Sequence, residues 1–196
     1  MPAERIDTEA RGRPQVAGLV LAAGGGRRYG MPKALVSQEG RLLVERAYQL
    51  IVECSDPVVV VLGAAADEVR ARADLGTAVV VINADWETGM GSSLRAGLAA
   101  LEGTVDAVLV HLVDLPGMTV AALARVASAA APDALAVATY NGLRGHPVLL
   151  GSHHWAGVAQ SAIGDQGARP YLATHDVTEI ECSDVADPAD LDYPPT

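Results

Sequence analysis

The sequence predicts an α/β fold, a parallel sheet covered on both faces by helices. Three observations predict it. Short apolar, β-branched runs alternate with segments of helical spacing along the chain. The runs are continuous rather than alternating, as in strands buried on both faces. The length of 196 residues suits one domain, and no repeat, low-complexity tract or linker divides it.

The elements follow in order. Residues 16–22 read as a buried strand that leads into a glycine-rich loop. Residues 42–54 have helical spacing through Leu42, Leu43, Arg46, Ala47, Leu50 and Ile51. Pro57 opens a strand over 58–62, and a polar-faced helix follows over 66–74. A strand over 78–82 precedes a helix over 90–101, which Gly103 stops. A strand over 107–112 and an alanine-rich helix over 120–130 come next. Strands are expected over 134–139 and 147–150, short helices near 153–162 and 168–175, and a last strand over 177–182. Residues 1–15 read as a flexible tail, 16–182 as the domain, and 183–196 as an irregular tail rich in Asp and Pro.

Composition narrows the function. Half of the residues are hydrophobic, enough to bury a core without staples. The longest apolar runs are far too short to span a bilayer, and residues 1–15 have no apolar signal region. Cys54 and Cys182 fit no zinc spacing, and a reducing cytoplasm is the expected location. A net charge of −10 argues against a nucleic-acid surface. Any phosphate site must therefore gather its cations locally. Lys33 is the only lysine among 14 Lys and Arg residues. A biased genome explains this, or else a compact ammonium is needed at that position.

In open α/β sheets ligands bind at the carboxyl ends of the strands. The loop after the first strand, Leu21-Ala22-Ala23-Gly24-Gly25-Gly26-Arg27-Arg28-Tyr29-Gly30-Met31-Pro32-Lys33, is the leading candidate. Consecutive glycines let backbone N–H groups approach an anion, and Arg28 and Lys33 add full charges. A dinucleotide fingerprint starting at Gly24 fails because Tyr29 occupies the third glycine position, and a P-loop fails because Met31 follows Gly30. A flexible turn with two solvated arginines is the alternative.

Asp114 follows the strand 107–112 and is placed to hold Mg²⁺, which takes oxygen ligands and shares substrate phosphates. A turn residue before Pro116 is the alternative. Asp165, bracketed by Gly164 and Gly167, is a second metal ligand or the N-cap of the helix from Ala168. Ser92 and Ser93 open a helix, where they can border an anion site or act as caps. Trp86 reads as packing, His111 as a core residue, and His153 and His154 as helix surface.

These segments, with one more, resemble the MobA-like nucleotidyltransferase family and most closely its molybdenum cofactor cytidylyltransferase branch. Gly24, Gly26, Arg28, Gly30, Pro32 and Lys33 occupy fixed positions of that branch's loop. Trp86, Gly89, Met90, Ser93 and Leu94 match a second motif, and Asp114 and Pro116 a third. Gly145, His146, Pro147 and Val148 match a fourth, and Gly164, Asp165, Gly167, Ala168 and Arg169 a fifth. The resemblance runs from about Val16 to Cys182. Two departures are Tyr29 in place of Met and Val113 in place of Gly.

The resemblance implies a three-layer α/β/α, Rossmann-like domain with a mostly parallel sheet, of the nucleotide-diphospho-sugar transferase type. It implies an enzyme in which Leu21, Ala22, Ala23, Gly24, Gly25, Gly26 and Ser93 bind a nucleoside triphosphate. Lys33 and Arg28 would hold phosphates, Asp114 and Asp165 Mg²⁺, and His146, Asp165 and Arg169 the acceptor. The Ala-Ala-Gly start of the loop points to CTP as donor and molybdopterin as acceptor, with a molybdoenzyme as downstream partner. Some related chains are described as oxidoreductases that act on a pigment of nicotine breakdown. An NAD(P)H-dependent reductase and a non-catalytic pterin cofactor carrier are therefore the rival readings.

Overall fold

The computed structural model describes residues 13–101, 103 and 105–193. Most of the N-terminal tail expected over 1–15 therefore lies outside the described residues. Strand β1 (Val16–Ala22) is an interior strand, third of the seven in the sheet, and both its faces bury apolar side chains. Its parallel neighbours are β4 (Val58–Leu62) and β6 (Ala107–Leu112). Strand β5 (Val79–Ile82) extends the sheet beyond β4. On the other side β8 (Leu143–Gly151) pairs antiparallel with β6 and with β7 (Leu135–Tyr140). Strand β9 (Thr178–Glu181) pairs parallel with β7, giving the order β5-β4-β1-β6-β8-β7-β9.

The helices divide between two cores. On one face α1 (Leu43–Ile51), α2 (Ala66–Arg72) and α4 (Val120–Ala127) cover Val20, Val60 and Leu109. On the other, α3 (Met90–Leu101), α5 (Trp155–Ser161) and α6 (Arg169–Leu172) cover Leu19, Val61 and Val110. Leu19 and Leu109 are fully buried, each worth about 1.5–3 kcal/mol of transfer free energy. The three-layer α/β/α, mostly parallel architecture expected from the sequence is the observed one.

Two hairpins refine it. Strands β2 (Ser37–Gln38) and β3 (Arg41–Leu42) form a small antiparallel pair before α1. Glu39 and Gly40 turn it with positive φ. The stretch before residue 42 is thus not an unstructured loop. Asn141 and Gly142 likewise turn β7 into β8 with positive φ, the backbone of a tight hairpin.

Among the described residues after β9, 182–193, there is neither helix nor strand, yet the segment is tied down. Asp187 N–H donates to Gly117 O (3.1 Å) and Leu191 N–H to Asp114 O (2.9 Å). Thr119, the N-cap of α4, donates its hydroxyl to Val185 O (2.9 Å). Asp184 forms a two-pronged ion pair with Arg125 (2.6 and 3.0 Å). This segment therefore runs back across the carboxyl end of β6.

Candidate active site

The strand order reverses direction at β1, whose next parallel partners lie on opposite sides. Leu21 and Leu112 are in register, so the loops after β1 and β6 leave the sheet side by side. That is where open sheets hold ligands. An open cleft of ≈ 550 Å³ lies there, bounded by the glycine loop, Lys33, Trp86, Asp114, Asp165 and the segment after β9.

The glycine loop is shaped by close contacts. Gly26 has φ +59°, and a Cβ there would lie 1.8 Å from Met31 O. Gly30 N–H closes the turn onto Gly26 O (2.8 Å). A Cβ on Gly25 would lie 2.9 Å from the Trp86 ring, so the tryptophan is a wall against the loop. Leu21, Ala23, Gly24, Gly25 and Gly26 face the cleft. Ala22 does not: its side chain is buried in the opposite core, as strand alternation requires. Tyr29 packs partly buried against that same core rather than standing in the cleft.

Lys33 begins a single 3₁₀ turn, Lys33–Leu35, whose Ala34 and Leu35 are buried and fix its direction. Its Nζ donates to Asp114 Oδ2 at 2.9 Å and to Asp192 Oδ1 at 3.1 Å. Burial pulls the ammonium's pKa down, but Asp114 and then Asp192 outweigh it, and the net shift is upward. Lys33 is therefore charged at neutral pH. Arg28 also pairs with Asp192, with its own side chain 68% exposed. Asp192 was not visible as a site residue in the sequence.

Asp114 leaves β6 after Val113, which is buried and donates its N–H to Leu21 O (3.2 Å). Asp165 sits on a 3₁₀ turn, Gly164–Gln166, and accepts from Met90 N–H at 3.3 Å. It therefore caps the first residue of α3. It is not the N-cap of the helix after Ala168, which has no side-chain cap. Gly89 permits this approach: its φ is +111°, and a Cβ would lie 2.4 Å from the Gly164 backbone.

Ser93 lines the cleft and is buried. Asn83, just past β5, donates to both Ser92 Oγ (2.8 Å) and Ser93 Oγ (3.0 Å). Its Oδ1 accepts from Asp85 N–H (3.0 Å). Asn83 thus sets both hydroxyls at the start of α3, a role the sequence reading missed. The signal was a polar amide directly after an apolar strand.

His146 and Arg169 border a smaller, apolar pocket walled by Leu21, Met90, Val110 and Val148. His146 Nδ1–H donates to Val110 O at 3.4 Å, and burial pushes its pKa down. Fully buried His111 is pushed down to about 3 by burial and then by His146. Its Nδ1 has no partner. His146 and Arg169 therefore lie together at one pocket that shares Leu21 and Met90 with the main cleft.

Carboxylate oxygens in an open cleft suit a hard cation that keeps waters and takes phosphate oxygens. Among the described residues no group of three or more His, Cys, Asp or Glu could hold a metal ion. No helix among the described residues is long and apolar enough to cross a membrane.

Residues 18–179 match the family model of the MobA-like NTP transferase domain. The chain is 42% identical over 190 residues to nicotine blue oxidoreductase of Paenarthrobacter nicotinovorans, covering 91% of this chain and 93% of that one. A crystal structure of an rv0371c homolog from mycobacterium sp. strain JC1 superposes with a TM-score of 0.76 at 30% identity, over 91% of this chain and 90% of that one. The Rv0371C complex with manganese from Mycobacterium tuberculosis H37Rv superposes with a TM-score of 0.65 at 25% identity, over 85% and 88%.

Proposed function

Because the chain belongs to the MobA-like NTP transferase family, we propose that it transfers a nucleoside monophosphate from a nucleoside triphosphate to a small phosphorylated acceptor. The observation that carries this reading is the ammonium of Lys33 held against Asp114 beside a glycine loop open to a cleft.

The reaction is a substitution at the α-phosphorus. An acceptor phosphate oxygen forms the new P–O bond, the α–β bridging P–O bond breaks, and pyrophosphate leaves. No covalent enzyme intermediate is needed. The chain's part is in-line positioning and charge neutralisation. The amides of Gly24 to Gly26 face the phosphates, with Lys33 and Arg28 as fixed and mobile cations. Ser93, oriented by Asn83, borders the nucleotide. Asp114, with Asp165 across the cleft, would hold Mg²⁺, which when bound shields phosphate charge. His146, Asp165 and Arg169 would face the acceptor.

CTP is the preferred donor and molybdopterin the preferred acceptor, with delivery to a molybdoenzyme in a reducing cytoplasm. Both choices rest on the Ala-Ala-Gly loop and the matched motifs. A thermal-shift screen of the four ribonucleoside triphosphates, each with and without Mg²⁺, tests the donor. CTP stabilising the protein only with the metal is expected. Equal response to all four, or to none, contradicts the assignment.

A second reading has one observation in its favour, the 42% identity to nicotine blue oxidoreductase. On that reading the cleft binds NAD(P)H and reduces a planar dye. The loop lacks the dinucleotide fingerprint, which favours the transferase. Loss of nicotinamide absorbance in the presence of the dye would establish the second reading.

A further inference from the structure

We propose that the segment after β9 is an autoinhibitory strap: Asp192 occupies the phosphate-binding cations of the free protein, and a polyphosphate must displace it to bind. This rests on the cleft being a triphosphate site. Both cations assigned to phosphate are already paired with this one carboxylate, Lys33 at 3.1 Å and Arg28 directly. Asp192 reaches them from 159 residues beyond Lys33, so the contact is built by the path of the strap and not by local sequence. Leu191 N–H, bonded to Asp114 O at 2.9 Å, delivers it. Asp190 lines the same cleft and adds to its negative field.

The strap is made to yield. Its last anchor before the cleft is Asp187 on Gly117 (3.1 Å). Beyond that anchor it is held over the cleft by Leu191's bond, by the partly buried Leu191 side chain against the core, and by the ion pairs. The Arg28 pair is exposed, with that side chain at 68%, and such pairs are individually weak. The Lys33 pair is more enclosed, with Lys33 at 14% and Asp192 at 29%, but Lys33 keeps Asp114 as its nearer partner when Asp192 leaves. A single carboxylate loses to a polyphosphate, which offers several charges and oxygens to the same two cations. It competes on more equal terms with monophosphate or carboxylate metabolites. The strap therefore lowers the apparent affinity for every anion by one factor, the fraction of molecules with the cleft open.

Calorimetric titration of inorganic tripolyphosphate with Mg²⁺ into the full chain and into Asp192→Asn tests this. The variant keeps the side chain's shape and removes only its charge. Affinity in Asp192→Asn rising by roughly 3- to 10-fold is expected, the release of one weak exposed pair and of a Lys33 contact that Asp114 shares. In the wild-type chain, hydrogen exchange at the Leu191 amide should speed up on binding. Equal affinity in both proteins, with the Leu191 amide unchanged, overturns the strap and leaves the triphosphate reading standing. Weaker binding in the variant also overturns it, since Asp192 would then be helping to hold the ligand. No binding by either protein overturns the strap together with the proposed function.

Discussion

Lys33 Nζ lies 2.9 Å from Asp114 Oδ2, although 81 residues separate the two in sequence. The pairing of β1 with β6 brings them together. A cation from the turn after the glycine loop and a carboxylate just past β6 thus meet beside the carboxyl ends of adjacent strands. The arrangement is a liability to fold around, because partly buried charges must be paired.

Replacing Lys33 with Ala should lower the transfer rate by ~10²–10³, the cost of losing one fixed donor to developing charge. Lys33→Arg should not restore the rate, because a planar fork cannot occupy the position of a point charge between Asp114 and Asp192. Pyrophosphate release under saturating triphosphate reads both.

Gly26→Ala should abolish triphosphate binding. Its φ of +59° and the 1.8 Å approach of Met31 O leave no room for a methyl group, so the loop must reopen. The strain alone is of order 1–3 kcal/mol. Calorimetry and a thermal melt separate lost binding from lost fold, and the core strands should survive.

Asn83→Ala should destabilise the protein by ~1–3 kcal/mol, because Ser92 and Ser93 lose a buried partner. It should also weaken triphosphate binding, whereas a purely structural amide would leave the affinity of the surviving folded protein unchanged. Chemical denaturation and calorimetry on the same sample check the two effects.

Much of this was legible in the sequence because it is written in local patterns. The run 107–112 and the helix 90–101 fall where their apolar periodicity put them. The glycine loop declared itself by composition. The antiparallel turn of β7 into β8 had a signal in Asn141-Gly142 that went unread: the strand expected over 147–150 begins at Leu143, straight after that turn. What stayed hidden is what depends on tertiary paths. Asp192 lies in an acidic stretch without periodicity, and only the return of the chain across β6 brings it to Lys33. Asp165 likewise read as a metal ligand or as the cap of the helix from Ala168, yet the helix it caps is α3, 75 residues away.

Acid should destabilise the fold through its buried histidines. His111 is pushed down to about 3 and His146 is pushed down too, so both stay neutral in the folded chain. The unfolded chain binds these protons below the usual histidine value of ~6.5. Stability is therefore fully present above that value and is lost as pH falls from it toward about 3. His111→Leu removes one titrating group and the unpartnered Nδ1. The variant should melt higher than the wild type at about pH 5, with a smaller difference at about pH 8.

The most direct measurement follows pyrophosphate when the purified protein is given CTP, Mg²⁺ and molybdopterin. One pyrophosphate released for each acceptor consumed, and none from Asp114→Asn, is the predicted result. Acceptor and CTP left intact while the same protein oxidises a reduced nicotinamide in the presence of a dye would contradict it.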